Sequence, residues 1–337
     1  MKKIRLGLMG FGRIGRQIYK LVEQQEAFEV VAIIDVGNPD ILHHLLTKTL
    51  GRDQHVELEK NYIVGAHGKS RLLPTDKPTE IPWDLFGVDF VIDATGRYLS
   101  SDQLQPHIDN GAGRVILSSL PESDIDRIVL MGVNDDSASP QDKIVSAGSA
   151  STMAAALALS TISKTHKLDH ASMTSVHAYT SDQSLQDYAH SDYRRSRSGA
   201  ENIIPNATPA LRWIPQLLPA FKEKFSAYAM NVPVQVGSML DLTLVFEDAQ
   251  IAAQTVNELF IEAASQLPAL IETINDPIVS SDVKGSDKSL LVDLRGTIKA
   301  GERIVKLLAW HETLGQAQRI LDVAACYTKL DEGVTAQ

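Results

Sequence analysis

The sequence predicts an α/β protein, in which a doubly wound parallel sheet is followed by an α+β domain with a mostly antiparallel sheet. Three observations predict this fold class. A glycine-rich turn separates the first strand-like run from the first helical pattern. Buried strand-like runs alternate with helical stretches through the first half of the chain, which is typical of parallel sheets. In the second half strands follow strands, which favours antiparallel pairing.

The composition indicates an acidic globular enzyme. The 337 residues are enough for two domains, and the formal net charge is -10. Nucleic acid and anionic membranes both require a basic face, so we expect neither as a partner. The first residues run directly into a strand pattern, and no apolar run approaches the roughly 20 residues of a membrane span, so we expect a cytoplasmic protein. The single cysteine, Cys326, excludes an intramolecular disulfide.

The first two predicted strands and the helix between them carry a dinucleotide-binding fingerprint. The run Ile4–Met9 ends in Gly10-Phe11-Gly12-Arg13-Ile14-Gly15, a helical pattern follows, and a second apolar run ends in Asp35 about 20 residues later. Gly10 and Gly12 allow a tight turn and a close approach of the pyrophosphate, and Gly15 lets the helix pack on the strand. Asp35 accepts hydrogen bonds from the ribose and repels a 2′-phosphate, which favours NAD over NADP. The alternative is a glycine-rich turn without a ligand.

Further apolar runs extend this first, Rossmann-type domain. They are Val88–Gly96, Gly113–Ser119, Ile128–Asn134 and Lys143–Ser146. Ligands of parallel sheets bind at the carboxyl ends of the strands, which makes Thr95, Gly96 and Ser118 candidate cofactor contacts. The alternative for each of them is that it ends a strand without touching a ligand.

A tight turn of small residues lies near the middle of the chain, between a strand-like run and an Ala- and Leu-rich helix that is predicted to begin near Met153. Such a turn points backbone N–H groups into the space above it, at the positive end of the helix. A later strand ends in a lone histidine, His177, which could face the same space as a general base. The central residue of the turn is Ala150, which has no nucleophilic group. The pattern indicates a reaction centre that has lost or changed its attacking group.

The second half is predicted to consist mainly of strands, with a long polar connection between His177 and Pro205. The strand-like runs are Ala171–His177, Ser226–Pro233, Ser238–Phe246, Leu290–Leu294 and Ile304–Trp310, and the helical ones are Leu211–Lys224, Ile251–Ser265 and Gly315–Leu330. Arginines cluster around Arg195 in the connection, which indicates an anion site or an intersubunit contact; a solvated loop is the alternative. Cys326 falls in the last helix, where a core thiol is expected. The adjacent His43 and His44 do not converge on one ion, so we expect no metal site.

Taken together, these motifs resemble the glyceraldehyde-3-phosphate dehydrogenase family, which includes erythrose-4-phosphate dehydrogenase. The resemblance covers nearly the whole chain and rests on Gly10–Arg16, Asp93–Gly96, Met131–Asn134, Thr174–Ala178, Asn202–Pro205, Asp241–Thr243, Ile278–Asp282 and Lys306–Trp310. It implies a Rossmann domain at residues 1–149, a catalytic domain at 150–314, and a C-terminal helix at 315–337 that returns to the first domain. It also implies a cytoplasmic homotetramer of glucose metabolism that uses NAD to oxidise the aldehyde of a sugar phosphate.

The resemblance implies roles for the residues at the positions of the family's functional residues, whether or not the residue type is the same. For the cofactor these are Gly10, Gly12, Arg13, Ile14, Gly15, Asp35, Thr95, Gly96, Ser118 and Thr313. For substrate or inorganic phosphate they are Ser149, Ser151, Thr180, Asp182, Arg195, Thr208 and Asn231. In the family a cysteine thiolate attacks the aldehyde, a histidine that matches His177 takes the proton, hydride passes to NAD, and phosphate cleaves the thioester.

The sequence departs from the family where the family's chemistry lies. Ala150 occupies the position of the nucleophilic cysteine, and Asn231 replaces an arginine that grips substrate phosphate. Pro209, which has no N–H, replaces a glycine whose N–H faces inorganic phosphate. Thr313 stands where the family has an asparagine that holds the nicotinamide amide. The loss of this arginine indicates a substrate whose phosphate is bound more weakly or is absent.

Three hypotheses follow from these departures. In the first, the chain is a NAD-binding paralogue without turnover that has a structural or sensing role. In the second, it is an oxidoreductase in which His177 activates a water and the product is an acid rather than an acyl phosphate. In the third, it is an active-site variant, natural or engineered, of an enzyme with the family reaction. Ser149 or Ser151 is disfavoured as the nucleophile, because a hydroxyl needs a strong base and an oxyanion hole.

Overall fold

The computed structural model describes residues 3–52, 54–180, 183–248 and 250–335. The chain forms two compact units, one made of Met1–Ser149 together with Gln316–Gln337 and the other of Ala150–Gly315. The first unit is therefore completed by the last residues of the chain. Within the described ranges, no helix has both the length and the apolar character needed to cross a bilayer.

The first unit is built on one sheet, in which nine strands pair within the described residues. The strands are β1 (Ile4–Met9), β2 (Phe28–Ile34), β3 (Glu57–Glu59), β4 (Tyr62–Gly65), β5 (Gly68–Leu73), β6 (Phe90–Asp93), β7 (Arg114–Leu117), β8 (Arg127–Ile128) and β9 (Ile144–Ser146). Their order across the sheet is β3-β4-β5-β2-β1-β6-β7-β9-β8. The pairs from β5 to β8 are parallel, whereas β3–β4 and β4–β5 are antiparallel. The predicted parallel sheet is confirmed.

The helices of the first unit are α1 (Arg13–Val22), α2 (Pro39–Leu50), α3 (Trp83–Phe86) and α4 (Ser101–Asp109). Two of them, α2 and α4, start at side-chain caps. The side chain of Asn38 accepts the Asp40 N–H at 2.8 Å, and Pro39 occupies the first position of α2, where its missing N–H costs nothing. Ser100 and Gln103 form a capping box at the start of α4.

The core of the first unit packs around Trp83, whose side chain is fully buried. The indole covers β1 at Gly7, where an added Cβ would lie 2.3 Å from a Trp83 ring carbon. Aliphatic residues of β1, β6, β7 and β9 surround it, among them Met9, Val91 and Val115. This packing fixes β1 and β6 side by side, and their carboxyl ends carry candidate cofactor residues.

The predicted strand over Ile128–Asn134 is wrong beyond its first residue. β8 ends at Ile128, residues 129 and 130 are irregular, and residues 131–134 form a turn. The Asn134 side chain is the cause, because its Oδ1 accepts the Leu130 N–H at 2.7 Å and its Nδ2 donates to the Ile128 carbonyl at 2.9 Å. These bonds replace the partners that a neighbouring strand would supply.

The second unit is built on a mostly antiparallel sheet, as the sequence predicts, and seven of its strands pair within the described residues. The strands are β10 (Leu168–Ala178), β11 (Ile204–Asn206), β12 (Phe225–Val232), β13 (Ser238–Phe246), β14 (Ile271–Ile274), β15 (Leu290–Lys299) and β16 (Ile304–His311). Their order is β11-β12-β10-β13-β16-β15-β14. β10–β12 and β14–β15 are parallel, and the other four pairs are antiparallel.

The helices that follow differ from the predicted ones mainly at their ends. They are α5 (Ala150–Ser163), α6 (Ala210–Leu217), α7 (Ala253–Gln266) and α8 (Thr313–Thr335). α5 begins at Ala150, earlier than predicted. α6 ends at Leu217 instead of continuing to Lys224, because Pro219 disfavours a helical residue before it and has no N–H to donate.

The end of α8 is tied into the first unit by buried polar contacts. The Tyr327 hydroxyl donates to the Asp142 carboxylate at 2.7 Å. The Arg114 guanidinium, which is 3 % exposed, donates to the Asp331 carboxylate at 3.0 Å and lies 4.2 Å from the centre of the Tyr327 ring. Hydrogen bonds to charged groups are among the stronger ones in proteins, so these contacts hold the last helix on the sheet.

Candidate functional site

The glycines after β1 shape a turn that leaves open space above it. Gly10 has φ +90, and an added Cβ would lie 2.8 Å from the backbone nitrogen of Thr95, so only glycine fits there. A Cβ on Gly15 would lie 2.2 Å from the Gly10 carbonyl oxygen. A Cβ on Gly12 would meet no atom of the described residues within 4 Å. Gly10 and Gly15 thus allow close packing, whereas Gly12 borders an accessible space.

The start of α1 opens onto the same turn. Its N-cap is Gly12, which offers no side-chain cap, and its first turn contains no acidic residue. Arg13 is exposed and Ile14 is half-buried. Unpartnered N–H groups at the positive end of a helix favour an anion, so these residues fit the pyrophosphate of a dinucleotide.

Asp35, at the end of β2, is held by two backbone amides. Its Oδ2 accepts the Phe11 N–H at 2.8 Å, and its Oδ1 accepts the Gly37 N–H at 2.8 Å. The carboxylate is half-buried and is fixed beside the glycine turn. Each carboxylate oxygen can accept a second bond, so a ribose hydroxyl can still be bound there.

Thr95, Gly96 and Ser118 meet at the carboxyl ends of β6 and β7 through Asp93. The Asp93 Oδ1 accepts both the N–H and the hydroxyl of Thr95, at 3.0 and 2.7 Å, and the Ser118 N–H donates to the Asp93 carbonyl at 3.0 Å. Gly96 has φ +67 and is exposed. The strand ends therefore present a small, polar edge of the kind at which parallel sheets bind ligands.

A buried histidine, His107, lies next to Asp93 at this edge of the sheet. The Trp83 Nε1–H donates to the His107 Nδ1 at 2.9 Å, so the proton of the neutral imidazole is on Nε2, which lies 3.6 Å from the Asp93 Oδ2. Both His107 and Asp93 have 0 % exposed side chains. No sequence motif marks Trp83 or His107, because only the fold brings them next to Asp93.

The small-residue turn after β9 is organised by hydrogen bonds. The Ser146 hydroxyl donates to the Ser119 carbonyl at 2.6 Å and accepts the Gly148 N–H at 3.0 Å. Gly148 has φ +73, a conformation that favours glycine. Ala150 is the first residue of α5, and the half-buried Ser149 and Ser151 flank it. The turn thus leads into the start of α5, whose first residue, Ala150, carries a methyl group and no nucleophile.

His177, at the end of β10, is oriented by the backbone. Its Nδ1 lies 2.6 Å from the Ala178 carbonyl oxygen. A carbonyl oxygen only accepts hydrogen bonds, so Nδ1 carries the proton and Nε2 of the neutral ring keeps its lone pair. This is the tautomer in which Nε2 can act as a base.

A second imidazole, which the sequence analysis missed, packs against His177. His311 ends β16, and its ring centre lies 6.2 Å from that of His177. It is 2 % exposed, and its Nε2 has no hydrogen-bond partner among the described residues. Burial, with a smaller contribution from the nearby His177, lowers the pKa of His311 to about 3. His311 is therefore neutral at physiological pH. A histidine at the end of an apolar strand was the only signal in the sequence.

Asn231 is engaged in a network of amides next to His177. It pairs with His177 in the register of β10 and β12. Its Nδ2 donates to the Gln183 Oε1 at 2.8 Å, and the same oxygen accepts the Thr180 N–H at 3.1 Å. Asn231 and Gln183 are 6 % and 8 % exposed. The structure thus brings His177, Thr180 and Asn231 together around Gln183, which the sequence analysis missed.

The other predicted substrate and cofactor residues of the second unit lie in local structures. The Thr208 hydroxyl accepts the Ala210 N–H at 3.3 Å, at the start of α6. The Thr313 hydroxyl donates to the Glu312 carboxylate at 2.8 Å. The Arg195 N–H donates to the Asp192 carboxylate at 3.0 Å, in the polar connection. Asp182 lies outside the described residues.

The polar connection also borders a large surface groove. The groove has a volume of about 730 Å³ and is lined by Ser191, Asp192, Tyr193, Arg194, Pro205, Asn206, Ala207 and Tyr228. Within the described residues, no group of three or more His, Cys, Asp or Glu side chains is arranged to hold a metal ion.

Comparisons with known proteins match both units to one family. The family model described as glyceraldehyde 3-phosphate dehydrogenase, NAD binding domain, matches residues 4–101, and the one for the C-terminal domain of the same enzyme matches residues 149–313. Glyceraldehyde-3-phosphate dehydrogenase of Mycobacterium leprae is 35% identical, covering 97% of this chain and 99% of the relative. The enzyme of Streptomyces coelicolor is 35% identical over 95% and 97%, and that of Borreliella burgdorferi 32% over 95% and 98%.

Proposed function

Because this chain belongs to the glyceraldehyde-3-phosphate dehydrogenase family, we propose that it is an oxidoreductase that uses NAD to convert a small aldehyde to the acid without phosphorylating it. The substrate carries no phosphate, or one that the protein binds only weakly. We also propose the oligomeric state and location that the resemblance implies, a cytoplasmic homotetramer.

The orientation of His177 carries this proposal. The bond from Nδ1 to the Ala178 carbonyl leaves the Nε2 lone pair as the proton acceptor. Ala150 supplies no thiolate, so the base serves a water instead of a cysteine. Asn231, which is uncharged and bonded to Gln183, supports a substrate without a strongly bound phosphate.

In the proposed reaction, His177 Nε2 takes a proton from a water as the water oxygen bonds to the aldehyde carbon. The carbonyl oxygen takes up a proton from solvent, and a hydrated aldehyde results. When bound, a nicotinamide cofactor would supply the two-electron acceptor for the hydride of that carbon, and one hydroxyl proton would pass to solvent, so that a carboxylic acid results. His177 then returns its proton to solvent.

The test is NADH formation with a panel of small aldehydes, including glyceraldehyde 3-phosphate and erythrose 4-phosphate, with and without inorganic phosphate. We expect turnover that does not depend on phosphate. His177→Asn is expected to lower kcat by about 10²- to 10⁴-fold, because it removes the general base. His170→Asn is the matched control, since His170 lies exposed on the same strand and should leave kcat unchanged.

Ala150→Cys separates this proposal from the family reaction. Activity only in the Ala150→Cys variant, and only with phosphate, would contradict the hydrolytic route and indicate a site that is intact except for its thiol. If the unmodified chain is active without phosphate and the His177→Asn variant keeps that activity, the role of His177 is contradicted, whereas the phosphate-independent reaction is not.

A second candidate is a NAD-binding protein without turnover that has a structural or sensing role. The amide network favours it, because Asn231 and Gln183 already bond to each other instead of presenting their polar groups to a substrate. This candidate predicts that calorimetry detects NAD binding while no aldehyde of the panel yields NADH, with or without Ala150→Cys.

A further inference from the structure

Gln316, in the first turn of α8, reaches the carboxyl ends of β7 and β9. Its Nε2 donates to the carbonyl oxygens of Gly148 at 3.0 Å and Ala147 at 3.2 Å, with the Ser118 carbonyl at 3.5 Å. All of these residues belong to the first unit. Gln316 is 4 % exposed. A buried primary amide thus lies at the edge of the sheet where a parallel fold binds its ligand.

These contacts fix the direction of the amide. Backbone carbonyl oxygens only accept hydrogen bonds, so the nitrogen of Gln316 must face them and Oε1 must face away. Oε1 has no hydrogen-bond partner among the described residues. A buried acceptor without a donor is unfavourable, which indicates a partner from outside the chain.

We propose that Gln316 Oε1 accepts a hydrogen bond from the carboxamide N–H of a bound nicotinamide dinucleotide. The carboxamide is a neutral N–H donor, which matches a neutral amide acceptor in a site of low exposure. The inference rests on the cofactor part of the proposed function and does not depend on turnover.

The test compares three ligands by calorimetry on the full chain. NAD carries the carboxamide. In 3-acetylpyridine adenine dinucleotide a methyl group replaces the NH₂ of that carboxamide, and ADP-ribose lacks the nicotinamide ring. We expect the unmodified chain to bind NAD about three- to tenfold more tightly than the acetylpyridine analogue, which is the range of one neutral hydrogen bond. In Gln316→Met this preference should disappear, while the affinity for ADP-ribose stays the same.

Gln318→Met is the matched control. Gln318 lies on the same helix, but its side chain bonds to Gln25 and Asp322 instead of the strand ends, so the variant should keep the preference for NAD. Gln316→Leu is a second variant with the same expected result. Equal affinities of NAD and its analogue in the unmodified chain would overturn the proposal without any variant, as would a preference that persists in Gln316→Met. Failure of all three ligands to bind would instead overturn the cofactor part of the proposed function, and this inference with it.

Discussion

His311 is an imidazole that the fold keeps neutral. It is 2 % exposed and its ring lies against that of His177. Burial first, and the nearby His177 second, lower its pKa from the usual 6.5 to about 3. The folded chain therefore does not bind the proton that the unfolded chain binds between these two pH values. Stability from this residue is fully present above pH 6.5 and is lost as the pH falls toward 3.

We predict that His311→Phe makes the protein less sensitive to acid. Between pH 6 and pH 4 the free energy of unfolding should fall more steeply in the unmodified chain, by about 1.4 kcal/mol per pH unit, because one proton is bound only on unfolding. Denaturant titrations at several pH values measure the slopes. The exposed His44 supplies the control, since His44→Phe should leave the slope unchanged. Equal slopes for the unmodified chain and His311→Phe would show that His311 is not held neutral.

At the scale of one element, two glycines at the turn between β1 and α1 have different roles: Gly15 allows close packing, and Gly12 borders the space for a ligand. A Cβ on Gly15 would lie 2.2 Å from the Gly10 carbonyl oxygen, whereas one on Gly12 would meet nothing within 4 Å in the described residues. We predict that Gly15→Ala destabilises the first unit by about 1–3 kcal/mol, as overpacking does. Gly12→Ala should cost less than about 1 kcal/mol but weaken NAD binding, since its methyl group enters the space for the pyrophosphate. Thermal unfolding of both variants measures the changes in stability, and NAD titration measures the changes in affinity. Normal NAD affinity of the Gly12→Ala chain would contradict the prediction for Gly12.

How well elements could be predicted depends on whether they carry their own pattern. β1, α1 and β2 were readable because apolar runs flank a glycine turn. β3 was not, because it is an edge strand whose residues are largely exposed, so no apolar period marks it. The predicted strand at Ile128–Asn134 is mostly a turn because the Asn134 side chain captures the backbone there. His177 stands out as the end of a strand. His311 and Gln316, in contrast, contact the candidate sites through neighbours distant in sequence, and Gln183 does so through Asn231 as well as the nearby Thr180.

Across the whole molecule, the chain completes its first unit with its last helix. Tyr327 is fully buried, and its hydroxyl donates to Asp142 at 2.7 Å. Burial acts to raise the pKa of Asp142, but hydrogen bonds from Arg127, Tyr327 and the Ser139 N–H outweigh it and hold the pKa below its usual value. We predict that Tyr327→Phe costs about 1.5–3 kcal/mol, the range of a hydrogen bond to a charged group. Tyr62→Phe, at an exposed position, is the control in denaturant unfolding. Equal midpoints for the two variants would contradict the anchoring role of Tyr327.

The proposed homotetramer makes the largest-scale prediction. In the polar connection, Leu185 is 61% and Tyr193 is 94% exposed, although apolar and aromatic side chains gain free energy when they are covered. Such residues beside a groove fit contacts with a further copy of the chain. We expect light scattering to give four times the chain mass of 36.8 kDa, and Tyr193→Asp together with Leu185→Asp to lower that mass. Leu85→Asp is the matched control, because Leu85 is 79% exposed but lies in the first unit, away from this connection in sequence. A monomeric unmodified chain would contradict the tetramer, and a tetramer that persists in the double variant would show that these side chains do not hold it together.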